Sequence, residues 1–151
     1  MILISKLLTL LIILTLCDLT FIYFISPIYN KQIELVQNEP VNIYWPSGLL
    51  CYLALFFGLY YFIIKDSKPV FDAVLLGLVI YSVYALTNKA LLKNWAFSTV
   101  LIDITWGGIL FGLVTYIYYW VEFGSGLGSG LPNPQTYNQL FDIAKIHPAS
   151  I

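Results

Sequence analysis

Apolar residues run almost unbroken through four stretches of this chain, at about 7–25, 47–64, 71–88 and 97–121. Each is close to or above the ~20 residues that a helix needs to cross the hydrocarbon core of a bilayer. Ile, Val, Phe and Tyr are abundant in them, but the strict alternation of a barrel strand is missing, so helices are predicted. Ser26-Pro27 punctuates the end of the first run, and Trp45-Pro46 opens the second. Short polar links at 65–70 and 89–96 favour antiparallel neighbours. The predicted fold is all-α: an integral membrane, up-down four-helix bundle occupying residues 1–123, with both termini on one side. Residues 27–46 read as a longer loop that lies on the surface or folds a short helix. Aromatics cluster near the run ends, at Tyr44 and Trp45, Tyr60 and Tyr61, Trp95, and Tyr116 to Trp120, as an interfacial belt does. Lys6 and the apolar stretch after it resemble a secretory signal, but no A-x-A-like cleavage site follows, so a spanning helix is expected.

The pattern changes after Glu122. Residues 124–130 are Gly and Ser apart from Leu127, the composition of a flexible linker. In 131–151, Tyr137, Leu140, Phe141 and Ala144 fall at i, i+3, i+4 and i+7, which puts one apolar face on a short helix. Such a helix is marginal alone in water and is suited to docking into a groove of a protein partner. The whole forms a flexible C-terminal tail.

Composition supports the membrane assignment. Charged residues make up 10% of the chain, against about 25% in an ordinary soluble domain. The net charge of −1 excludes the basic face that nucleic-acid binding requires. Lys6, Lys65 and Lys68 flank one side of the bundle and Lys31, Lys89 and Lys93 the other, so the positive-inside rule sets no orientation. Cys17 and Cys51 lie in apolar runs and read as small buried residues. The single histidine, His147, lies in the tail, so no His-rich metal site is expected; neither is a cofactor.

Against this background the polar residues inside the runs stand out. A charge at the bilayer centre costs roughly 2.5–3.5 kcal/mol on insertion scales and needs a partner, a cavity or a proton. Asp18 lies past the middle of the first run and Asp103 about six residues into the fourth. With alternating span directions, both fall in the half of the membrane that also holds Thr87 and Asn88. Tyr84, Thr87 and Asn88 share a stripe of the third helix with Tyr81. On the fourth, Asp103, Trp106, Gly107 and Leu110 share another. Gly48, Cys51 and Gly58 are small residues suited to close packing of the second helix. The expected site is an intramembrane polar cluster of Asp18, Tyr84, Thr87, Asn88, Lys89, Asp103 and Trp106. No catalytic residue is assigned, since the spans lack H-E-x-x-H, G-x-S-x-G and a His-Cys pair.

At these residues the chain resembles a known family. Tyr84-Ala-Leu-Thr-Asn88 and Asp103-Ile-Thr-Trp-Gly107 resemble the Tyr-Asp-Leu-Thr-Asn and Asp-x-x-Trp-Gly signature of a predicted membrane-protein family of unknown function. Asp18 and the segment from Ile28 to Ile33 resemble that family's opening. Its members are small four-span proteins of bacteria and some large DNA viruses. The resemblance covers about 7–121 and implies fold and topology, with no established activity. Ala85 stands where the family motif carries an acid, and Lys89 follows one turn later. Lys89 is therefore expected to reach Asp103 or Asp18 and neutralise it.

Two functions of different kind are expected from these features. The first is a non-enzymatic membrane component of a larger assembly, in a virion or as an accessory subunit, gripping a partner through its tail. The second is a small transporter or proton-coupled carrier using Asp18 and Asp103. The lipid bilayer is the surrounding medium, a viral inner membrane or an organelle or cell membrane, and a homo-oligomer is compatible with the carrier reading, since four helices alone make a small pore.

Overall fold

The structure, a computed structural model, describes residues 2–124. They form four long helices: α1 (Ile2–Gln37), α2 (Trp45–Leu59), α3 (Val70–Leu91) and α4 (Phe97–Tyr119). A wider π-helical turn extends α2 over Tyr60–Ile64, and another extends α4 over Trp120–Gly124. All four helices are long and apolar enough to span a membrane. Large apolar side chains such as Leu16, Phe24, Leu49, Val79 and Leu101 point outward, as a lipid-facing surface requires.

The first helix corrects the sequence-based boundary. Its 36 residues continue through Pro27 to Gln37, so most of the expected first loop is helical. At ~1.5 Å per residue α1 is roughly 54 Å long, against a hydrocarbon core of ~30 Å. Proline has no N–H to give the carbonyl one turn back, which normally breaks a helix. Here that carbonyl belongs to Tyr23, and the Ser26 hydroxyl donates to it at 3.1 Å. The Ser-Pro pair thus repairs its own defect, as polar side chains do inside membrane helices.

Contacts between helices fix their directions. Along α1 and α4, Lys6 meets Glu122, Asp18 meets Trp106, Tyr29 meets Asp103 and Gln32 meets Thr99. Rising numbers on one helix match falling numbers on the other, so the two are antiparallel. Along α3 and α4, Val74 faces Gly112, Leu78 faces Gly108 and Tyr81 faces Gly107, again antiparallel. This second pair makes the most extensive helix contact. Glycine is required where it is closest: a Cβ on Gly77 would overlap the Gly107 carbonyl, and a Cβ on Gly107 would overlap the Tyr81 ring. Gly108 and Gly112 add a G-x-x-x-G step, which brings helix backbones together where lipid offers no hydrophobic drive.

The packed core lies between Leu10 and Leu14 of α1, Leu55 and Leu59 of α2, Ala73 of α3, and Leu110, Phe111 and Val114 of α4. A smaller core of Ala85, Trp95 and Val100 lies under the link between α3 and α4. Trp95, only 4% exposed, is therefore a core residue and not part of the interfacial belt. Gln32 ties that link to α1. It donates to the Asn94 carbonyl at 2.8 Å and accepts from the Ala96 N–H at 3.2 Å. Between the two cores the helices part.

Candidate functional site

That parting is a cavity of about 360 Å³ bounded by all four helices. Asp18 comes from α1, Gly48, Cys51 and Tyr52 from α2, Tyr81 and Tyr84 from α3, and Asp103 and Trp106 from α4. The cavity exists because α2 stays back at this level: a Cβ on Gly48 would meet nothing within 4 Å. Gly48 and Cys51 thus line open space. The sequence-based expectation that they pack tightly is corrected, since the close glycine contacts are those of α3 and α4.

The two carboxylates are 7% and 5% exposed, for Asp18 and Asp103 respectively. Their surroundings differ. Asp18 is fully engaged: the Tyr52 hydroxyl donates to one oxygen at 2.7 Å and the Trp106 indole N–H to the other at 2.9 Å. Trp106 is held for this by a face-to-face stack on Phe21, with ring centroids 4.0 Å apart and planes 6° from parallel. Asp103 is half engaged. The Tyr29 hydroxyl donates to Oδ1, while buried Oδ2 has no hydrogen-bond partner. A buried acceptor left unmatched is costly. In hydrocarbon the cost of a bare carboxylate is larger still.

The expected cluster is only partly assembled. Asp18, Tyr84, Asp103 and Trp106 line the one cavity. Asn88 interacts with Tyr84 one turn away, and its carbonyl ends α3 by accepting the Leu92 N–H. Thr87 is exposed and does not line the cavity. Lys89 does not neutralise the acids: its ammonium donates to the Trp95 carbonyl at 2.7 Å, across the turn that follows α3. At the end of α3 the turn offers the ammonium an acceptor outside the cavity. Tyr29, Tyr52 and Tyr81 were missing from the expected cluster. Tyr81 shares a stripe with Tyr84, but nothing in the spacing distinguishes Tyr29 or Tyr52 from an interfacial anchor. The tail positions Tyr137, Leu140, Phe141 and Ala144 lie outside the described residues.

Among the described residues no group of three metal-ligating side chains occurs. The lining carries no lysine or histidine, and the chain has no arginine.

Four membrane-length helices around a largely apolar cavity that holds two aspartates define a small multi-pass integral membrane protein. The chain belongs to the family described as "Predicted membrane protein (DUF2177)", a family of unknown function, whose match spans residues 3–120 and so all four helices. No curated protein and no solved structure matches it.

Proposed function

We propose that this protein takes up positive charge within the membrane, as a small carrier of protons or cations. The observation that carries this is Asp103 Oδ2, buried and unpartnered, in a cavity shared with Asp18. Two aspartates lining one low-dielectric space each favour a positive charge nearby. Tyr29, Tyr52 and Trp106 hold the remaining oxygens in place. Three of the four carboxylate oxygens are thus fixed by hydrogen bonds before any charge is taken up. A non-enzymatic role fits the lining, where Cys51 and Ser26 have no histidine or lysine beside them to activate a nucleophile. The Lys6–Glu122 ion pair, at 3.1 Å, supports both ends of the bundle lying on one side of the membrane.

Reconstituted proteoliposomes under an imposed pH gradient test the carrier role. Flux that disappears in Asp103→Asn and falls in Asp18→Asn, with helicity unchanged, is expected. Flux indifferent to both substitutions overturns it.

The spacing of Tyr137, Leu140, Phe141 and Ala144 supports a second role, docking to a protein partner in a larger assembly. Co-purification with and without residues 124–151 checks it, and an unchanged partner set overturns it.

A further inference from the structure

We propose that the cavity binds a small organic cation, its ammonium group against Asp103 and Asp18 and its apolar body against the aromatic wall. This rests on the uptake of positive charge argued above and adds the class of ligand.

Size is the first argument. About 360 Å³ falls in the range of small-molecule sites and far exceeds the room a single ion needs. The second is the donor set. Two carboxylates do not supply the six to eight oxygens of a calcium site, and no third metal-ligating side chain joins them among the described residues. The third is the wall: Phe21, Tyr29, Tyr52, Tyr81, Tyr84 and Trp106 all line the cavity beside the acids, with Phe21 and Trp106 stacked on each other. Ring faces attract cations that carry apolar groups, most strongly where water is excluded.

The lining also says what the ligand lacks. With no cationic side chain at the cavity, a phosphate or carboxylate on the ligand would meet only like charge. A zwitterionic phospholipid headgroup is therefore disfavoured against a simple amine. The rim gives the direction of approach. Ile22 and Tyr84 line the cavity and are 42% and 51% exposed, on helices that face lipid. An amine with an apolar body partitions into the bilayer and reaches the acids from that side as well, a second route that a hydrated inorganic ion lacks.

Equilibrium binding to the full chain in phosphatidylcholine nanodiscs tests this. The probes are radiolabelled 2-phenylethylammonium and tetraethylammonium; the competitors are 2-phenylethanol, which keeps the body and drops the charge, and sodium ion. Saturable binding of at least one probe is expected, displaced by unlabelled amine and not by the alcohol or sodium. Asp103→Asn weakens it about tenfold or more, the loss expected for one hydrogen bond to a charged group. Gly48→Leu adds bulk to the cavity wall at a position where a Cβ meets nothing within 4 Å and weakens binding, so the test does not hang on removing an acid. Failure of folded wild-type protein to bind either probe, equal displacement by the alcohol, or binding unchanged in both variants overturns the inference. Acid-dependent proton flux without amine binding overturns the ligand class and leaves the carrier role standing; loss of both overturns both.

Discussion

The Trp106 indole donates to the Asp18 carboxylate at 2.9 Å, joining α4 to α1 at the level of the cavity. The same indole stacks on Phe21, three residues beyond Asp18. One side chain thus holds α1 twice, through a ring face and through an N–H. Trp106→Phe keeps the ring and removes the donor. Combined with Asp18→Ala in a double-mutant cycle, it is expected to show a coupling of about 0.6–1.7 kcal/mol, the scale of hydrogen bonds between membrane helices. Thermal unfolding in detergent reads this, and purely additive losses would contradict the pairing.

Glycine tolerance separates the tight half of the bundle from the open one. A Cβ on Gly77 runs into the Gly107 carbonyl, which is backbone and cannot move aside. Gly77→Ala should cost about 1–3 kcal/mol as an overpacked contact. Gly48→Ala meets no neighbour and should stabilise the protein by about 0.4–1 kcal/mol through the unfolded chain. Melting both variants in one detergent checks the contrast. Equal effects would mean that the open space beside α2 is not present in the folded protein.

Gln32 closes the bundle at the end away from Lys6. Its amide bridges the Asn94 carbonyl and the Ala96 N–H while buried. Gln32→Leu leaves both backbone groups unmatched, at about 1–3 kcal/mol. Trypsin cleavage after Lys93, in the turn between α3 and α4, should quicken accordingly. An unaltered cleavage rate would show that the turn holds without this bridge.

The fold was largely legible in the hydrophobic pattern. Runs of that length have one economical conformation in lipid, and the ends of α2, α3 and α4 fall within a few residues of the expected ones. The first helix was misjudged at Pro27, because the rescue of the Tyr23 carbonyl by Ser26 is a side-chain geometry and leaves no periodic trace. The acids were found because charge is conspicuous in an apolar run. Their partners were harder. Tyr29 and Tyr52 resemble any interfacial tyrosine, and only contacts 74 and 34 residues apart in sequence reveal their role. Lys89 was misassigned for a related reason: one helical turn of displacement places its ammonium at the link, within reach of the Trp95 carbonyl and not of the acids.

Cys51 offers the most direct measurement on the shared acidic cavity, since its thiol lines the space that Asp18 and Asp103 face. With Cys17 replaced by alanine, the thiol is challenged with two membrane-impermeant methanethiosulfonates of similar size, one bearing trimethylammonium and one sulfonate. The cationic reagent should react faster, and its advantage should shrink in Asp18→Asn and in Asp103→Asn and vanish in the double variant. A rate ratio unmoved by either substitution, or a thiol that neither reagent reaches in the folded protein, would contradict a single cavity polarised by both carboxylates.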